Sequence, residues 1–372
     1  GNAIMNEKTQ PCTHCGAVHP RVNLTWMGSA ELCPECLQRY TVCCDCCGER
    51  IWMANDYGTH YLHLCASCRA DNYVTCENCG ALIPQEDAHY NDEDEAYCDS
   101  CYERGYGGTI HNYSYKPEPI FYGDGPLYLG VELEVDEAGK DNINAVQALR
   151  AFNQENVYGY VKSDGSLNDG FELVTHPCTL ETHLQQVPWR ETLEALRGMG
   201  YRSHAPGTCG LHVHVSRKAL GKDVYEQEKT IAKLLYIFER FWQEILRFSR
   251  RTESQINHWA ARYGYKDRGE EILKEAKHGA NGRYACINLT NTDTIEFRVF
   301  RGTLKYNTVI ATLQFVANLC RVAISLPEYR IQEFSWPALI EALTQDNCPE
   351  LVQYLKERNL YVNEPVTAER EV

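Results

Sequence analysis

Gly130-Val-Glu-Leu-Glu-Val-Asp136, Asp164-Gly-Ser-Leu167 with Phe171-Glu-Leu-Val-Thr175, Gly210-Leu-His-Val-His-Val-Ser216 and Ile295-Glu-Phe-Arg-Val-Phe-Arg301 decide how this chain reads. The first, third and fourth alternate between apolar and ionisable residues, the period-two pattern of a strand with one buried face. That alternation sets Glu132 with Glu134, His212 with His214, and Glu296 with Arg298 on single strand faces. Exposed strand faces are routinely charged, but four such segments in one chain point to a shared site. A face that is densely acidic and also carries Arg suits divalent cations holding a polyphosphate. Carboxylate oxygens bind Mg²⁺, and guanidinium forks grip phosphate oxygens.

Outward from these strands the pattern turns helical. Residues 144–153 and 191–197 read as short helices. Residues 225–250, with Ile231, Leu234, Leu235, Phe238, Trp242, Ile245 and Leu246 in phase, read as one long amphipathic helix. Residues 308–326 are apolar almost all round, yet Gln314, Asn318 and Arg321 interrupt them, which predicts a buried helix and not a membrane span. Segments from Trp336 and from Glu350 read as small packing helices. The expected class is α+β with an antiparallel sheet, without βαβ winding.

The first hundred residues follow a different rule. Of nineteen cysteines, fourteen fall at or before Cys101, and twelve form C-x-x-C pairs: Cys12/Cys15, Cys33/Cys36, Cys44/Cys47, Cys65/Cys68, Cys76/Cys79 and Cys98/Cys101. Cys12, Cys44 and Cys76 recur every 32 residues, and Gly16, Gly48 and Gly80 follow the leading pairs. This internal repeat predicts three tandem units over residues 5–104. Two C-x-x-C turns close one tetrahedral Cys₄ site, so three structural Zn²⁺ ions are expected. The spacing leaves open whether pairs close within a repeat or across repeats, and whether Cys43 and Cys46 displace Cys44 and Cys47. His14, His60 and His63 read as surface residues.

The chain has 372 residues and a net charge of −15, with 44% hydrophobic and 23% charged residues, values of an ordinary globular protein. Sixteen acidic residues stand against six basic ones up to Tyr115, so −10 of that charge lies in the cysteine-rich part. Nucleic-acid binding needs Lys and Arg in number, and each Zn(Cys)₄ centre adds negative charge. A protein partner at the zinc units is the better expectation. No eighteen-residue apolar run and no secretory pattern opens the chain, and the thiols imply a reducing compartment; a cytoplasmic location without membrane attachment is expected. Residues 105–124, rich in Gly, Pro and Tyr, read as a linker.

Taken in order, the motifs G-V-E-L-E, D-G-S-L, E-L-V-T, G-L-H-V-H-V-S and I-E-F-R-V-F-R-G resemble the amidoligase family, carboxylate–amine ligases with the glutamine synthetase fold, over residues 128–306. The resemblance implies a glutamine synthetase-like antiparallel sheet with packed helices, preceded here by the zinc units. It implies a catalytic domain over residues 125–330, with residues 331–372 as a C-terminal helical segment packing on it. It further implies Mg²⁺ ligation by Glu132, Glu134, Glu172, His212 and Glu296. His214 and Ser216 would lie against the nucleotide, and Arg298 would contact the γ-phosphate. The Glu-rich and Arg-rich substrate loops of glutamine synthetase itself have no match, so glutamate and ammonia are not implied.

The implied chemistry is ATP-dependent, with two or three Mg²⁺ ions and an acyl phosphate that an amine converts to an amide or isopeptide bond. Arg283 and Arg301 are further candidates for phosphoryl-group stabilisation. Asp164 is either the base that deprotonates the amine or the turn residue of Asp-Gly-Ser. Residues 277–283 read as a mobile loop, and His258, Trp259 and Arg262 as candidates for the site entrance. Cys178, Cys209, Cys286, Cys320 and Cys348 read as core thiols. The acidic zinc units favour a macromolecular or basic substrate, such as a peptide, a protein or a polyamine. Two rivals are a phosphoryl-transfer kinase of the same fold and a non-catalytic zinc-containing scaffold; a nuclease built on His212 and His214 leaves Arg298 and Arg301 without a role.

Overall fold

The computed structural model describes residues 8–104, 106–278 and 285–361. The chain divides into two compact units, Gly1–Gly107 and Gly108–Val372.

In the N-terminal unit the same local build occurs three times. A C-x-x-C turn opens each repeat, and the glycine after it adopts φ of +76°, +77° and +73° at Gly16, Gly48 and Gly80. Each of these glycines donates its N–H back to the carbonyl of the leading cysteine, at 2.8–2.9 Å. Only glycine takes this left-handed conformation without steric cost, which is why it recurs with the cysteines. The second C-x-x-C lies at a helix start: Cys33, Cys65 and Cys98 are the N-caps of Pro34–Tyr40, Ala66–Asn72 and Asp99–Glu103.

Four sulfurs therefore converge within each repeat, as Cys12/Cys15/Cys33/Cys36, Cys44/Cys47/Cys65/Cys68 and Cys76/Cys79/Cys98/Cys101, each set within 4.8 Å. Pairing is thus within repeats, and the middle site uses Cys44 and Cys47, leaving Cys43 and Cys46 exposed outside the cluster. The sets fit zinc. At Cys44, backbone N–H groups of Cys47 and Cys65 lead in holding the thiol at about 6. At Cys12 and Cys76 burial acts the other way, and the corresponding amides outweigh it to reach the same value. His63 is bound to Asp56 at 2.6 Å and His60 lies against the Tyr61 ring, away from the thiols.

The C-terminal unit is built on one seven-stranded sheet. Its strands are β1 (Ile110–His111), β2 (Leu129–Val135), β3 (Gly159–Lys162), β4 (Phe171–Thr175), β5 (Gly210–Ser216), β6 (Ile287–Asn288) and β7 (Thr294–Arg301), ordered β1-β3-β4-β2-β5-β7-β6. All pairings are antiparallel except β1 with β3. One face carries Leu129, Val131, Leu133, Val135, Leu173, Leu211, Val213, Val215, Ile295 and Phe297, all fully buried in the core. The mixed α+β architecture with an antiparallel sheet agrees with the sequence reading.

The helices are α1 (Asn142–Phe152), α2 (Leu180–Gln185), α3 (Trp189–Gly198), α4 (Val224–Arg240), α5 (Trp242–Ser249), α6 (Glu253–Trp259), α7 (Gly269–His278), α8 (Tyr306–Ser325), α9 (Glu328–Gln332), α10 (Trp336–Leu343) and α11 (Pro349–Glu357). Among the described residues α8 alone is long and apolar enough to cross a membrane, with mean hydropathy 1.5, and 83% of that window is buried within the protein. Its Gln314 and Asn318 are used internally: Gln314 donates to Glu350 and Asn318 to the Leu343 carbonyl, each at 2.9 Å, tying α8 to α11 and α10.

Two local readings need correction. Residues 225–250 form two helices, broken at Phe241 (φ −107°, ψ 35°). The halves serve different neighbours: α4 packs on α7 and α8, while α5 packs on β7, and the Phe241 ring meets Trp336 at the break. Periodicity continues across such a break because both halves need an apolar face. Within residues 105–124, read as linker, Ile110–His111 forms the edge strand β1 beside Val161–Lys162. Two residues are too few to show a period.

Metal analysis of the purified chain is expected to return three zinc ions. Cys44→Ser should lower this to about two, and Cys43→Ser should leave it unchanged. Equal loss in both variants would contradict the register described.

Candidate active site

The polar face of the sheet is the floor of a cavity of about 680 Å³. Strand register decides what stands on that floor. Glu132 on β2 lies opposite His212 on β5, Glu134 opposite Glu172 on β4, and Glu172 opposite Lys162 on β3. On the other side His214 lies opposite Glu296 on β7, and Glu296 opposite Asn288 on β6. The four segments quoted from the sequence, three of them alternating, thus become neighbouring rows of one surface.

The tightest group is Glu132, His212 and Glu296, whose ligand atoms all lie within 4.8 Å of one another. His212 Nδ1 is 3.3 Å from Glu132 Oε2 and 3.3 Å from Glu296 Oε1. His214 Nε2 is 3.1 Å from Glu132 Oε1. Arg298 Nη1 donates to Glu296 Oε1 at 2.9 Å, and Asn288 Nδ2 donates to Glu296 Oε2 at 2.9 Å. Glu134 stands apart from this group: its Oε2 accepts the Gly210 N–H at 2.8 Å, and its Oε1 is 3.9 Å from His212 Nε2. A side chain on Gly210 would place Cβ 2.3 Å from His212 Nε2, so this glycine leaves the room in which the imidazole lies.

The crowding of acids polarises the site. Burial, then the Glu132 and Glu134 carboxylates, push Glu172 well above the usual carboxyl range. Burial would raise Glu132 too, but the His214 charge and hydrogen bonds from His212 and His214 draw it well below. Burial opposes charge on His214, yet Glu132 beside it lifts the imidazole to about 9. Burial also raises Glu134, against the pull of His212. A cluster of carboxylate oxygens and an imidazole held this close suits a divalent cation.

The other expected site residues are distributed unevenly. Asp164 lines the cavity, but its Oδ1 accepts from the Ser166 N–H at 2.7 Å and the Ser166 hydroxyl at 2.5 Å, the geometry of a turn. Ser216 lies at the end of β5 and caps the short turn Arg217–Ala219, outside the cavity lining. A β-bulge between β5 and β7 brings Arg301 opposite Gly210. Its guanidinium nevertheless donates to the His204 carbonyl at 2.7 Å and does not line the cavity. Arg283 lies outside the described residues, as does most of the loop at 277–283. Trp259 lines the cavity, whereas Arg262 pairs with buried Glu239 at 2.6 Å elsewhere.

Arg251, Thr208, Asn288, Lys162 and Tyr113 also line the cavity, and the sequence pattern did not single them out. Asn288 lies opposite Glu296 on the two-residue strand β6, too short to show a period in sequence.

Residues 132–320, just over half the chain, match the family described as "Putative amidoligase enzyme". The chain belongs to this family of ligases. No curated protein matches it. Among solved structures it is similar to a bifunctional glutathione synthetase from Pasteurella multocida, at 15% identity and a TM-score of 0.31. That match covers 62% of this chain and 46% of the other, so this chain spans less than half of that protein's length.

Glu296→Ala and Glu132→Ala are each expected to weaken Mn²⁺ or Mg²⁺ binding by calorimetry at least about tenfold, and Asn288→Ala by a similar factor through the freed Glu296 carboxylate. Unchanged affinity in Glu296→Ala would place the cation elsewhere.

Proposed function

We propose that the C-terminal unit is an ATP- and Mg²⁺-dependent carboxylate–amine ligase that works through an acyl phosphate. The observation that carries this reading is the Glu132–His212–Glu296 cluster with Arg298 2.9 Å from Glu296 on the same strand face. Membership of the amidoligase family supports the ligase class. Glu132, Glu296 and His212 would hold Mg²⁺, with Glu134 and Glu172 within the same acidic row; bound there, the cation supplies neutralisation of phosphate charge.

The chain's own groups then have distinct tasks. Arg298 stabilises the transferring phosphoryl group through its planar fork. Asn288 fixes Glu296, and His214 holds Glu132. The acid's carboxylate oxygen attacks the γ-phosphorus and ADP departs; the amine then attacks the acyl carbon, loses its proton, and phosphate departs. Asp164, held in its turn by Ser166 on the cavity lining, is the candidate to receive that proton. Residues 125–330 form the catalytic domain in this reading, and of the segment 331–372 the described part, residues 331–361, packs on it, the rest lying outside the described residues. The three zinc units recruit a basic peptide, protein or polyamine, or a protein partner, through their acidic surface. The thiol-rich clusters suit the reducing cytoplasm.

ADP release screened against pools of acids and amines tests the reading, with Glu132→Ala as control. The wild-type chain should release ADP with at least one pair, and the variant should be slower by about 100-fold or more. Mass spectrometry should show a product lighter than the summed substrates by one water. A stable phosphorylated product would assign a kinase, and failure of Mg²⁺·ATP to bind would assign a scaffold.

A further inference from the structure

Arg251 follows Arg250, which ends α5 in a left-handed conformation (φ 62°) and so turns the chain back over the sheet. The Arg251 side chain arrives at the cavity wall with only 6% of the residue exposed. Its Nη2 donates to the Phe300 carbonyl at 3.2 Å. Its Nε and Nη1 are buried and have no hydrogen-bond partner among the described residues. The Thr208 hydroxyl, in the same cavity, is likewise buried and, apart from the neighbouring Cys209 thiol, has no partner among the described residues. Buried donors are rarely left so, because each loses its water without recovering a bond. A guanidinium with two such N–H groups on a cavity wall is built for an anion.

The position of Arg251 separates it from the cation cluster. The Nδ1 edge of His212 faces Glu132 and Glu296. The Nε2 edge faces Glu134 and the Gly210 backbone, where a Cβ would meet both His212 Nε2 and, at 3.0 Å, Arg251 Nη2. Arg251 therefore lies on the Nε2 side of the imidazole, and the cation cluster on its Nδ1 side. Among the described residues no carboxylate comes within ion-pair distance of it; Glu134, whose Oε2 accepts the Gly210 N–H, attracts it from further off. A polyphosphate carries several charges and matches the cation cluster with Arg298. A single guanidinium with two spare N–H groups, in a cavity that a hydroxyl also lines, matches a planar monoanion.

We infer that Arg251 and Thr208 form the subsite for the carboxylate group of the acid substrate, one imidazole width from the cation cluster. The inference rests on the ligase reading for its substrate class, and its anion chemistry rests on the two orphaned groups. Arg251 acts as a binding residue that presents the carboxylate toward the phosphate side of His212.

Saturation-transfer NMR on the full chain with Mg²⁺ tests this without turnover, using acetate and L-glutamate as carboxylate probes and inorganic phosphate as the competing anion. The carboxylate probes should bind wild type and lose about tenfold or more in affinity in Arg251→Gln. Arg251→Lys and Thr208→Val should lose less, and Arg298→Gln should weaken phosphate while sparing the carboxylates. Thermal unfolding verifies that each variant is folded; if Arg251→Gln is not, the Lys and Val variants decide. Equal carboxylate binding in wild type and folded variants overturns the inference, as does binding of phosphate alone or of neither probe. Carboxylate binding that depends on Arg251 without ADP release in any pool would instead overturn the ligase reading and leave the subsite standing.

Discussion

The antiparallel register between β2 and β5 is the constraint on which the catalytic unit depends. It sets Glu132 opposite His212 while Val131 and Leu133 pair with Val213 and Leu211 on the other face. Because side chains alternate strictly, a slip of one residue would drive either the two glutamates of β2 or the two histidines of β5 into the core and expose that strand's valine and leucine. The cost of that exchange locks the pairing, since buried charge without partners is far more unfavourable than lost contact alone. Once β2 and β5 are locked, β4 brings Glu172 beside Glu134 and β7 brings Glu296 beside His214. The apolar face pins the register, and the polar face inherits its chemistry from it.

What was legible in sequence follows from the same physics. Glu132, His212, Glu296 and Arg298 were visible because each sits in an alternating strand whose buried partners repeat around it. Cys₄ sites were visible because ligand spacing and turn glycine recur together. Arg251 and Thr208 were not, because each reaches the cavity from irregular backbone and no period marks it. Arg301 shows a third case: the bulge between Phe297 and Phe300 adds a residue to β7, so an odd separation from Arg298 still brings it opposite Gly210. Sequence spacing cannot anticipate a bulge, nor that carbonyl groups of His204 and Arg250 then take the guanidinium. The division at Phe241 escaped for a related reason, since one apolar phase served two helices.

The two units solve the problem of stability differently. The C-terminal unit buries a continuous core running from β2 to α8 and α11. Each N-terminal repeat has only a few buried apolar side chains around its thiols, such as Met27 and Leu32, Leu64, or Ile83 and Tyr97. Cores that small hold a fold only with an added staple. Metal closure would therefore free the repeat surface from packing duty, and the acidic residues accumulate in these repeats. The same division explains why a cysteine-rich segment here does not resemble a nucleic-acid binder: its fold needs no basic residues, and its charge opposes phosphate.

Within the site, one oxygen links the two halves of the proposed chemistry. Glu296 Oε1 accepts from Arg298 at 2.9 Å, lies 3.3 Å from His212 and 3.9 Å from His214. These groups compete for a single acceptor, because a carboxylate oxygen has two lone pairs and Asn288 already holds the other oxygen. Any cation drawn to Glu132 and Glu296 must weaken the hold of Glu296 on Arg298, since the carboxylate charge is then shared with a stronger partner. The guanidinium is thereby made available to phosphate at the point where a cation-bound polyphosphate would lie. In the proposed chemistry cation and phosphate binding would be coupled through Glu296, and the strand spacing of two residues between Glu296 and Arg298 is what would make the coupling possible.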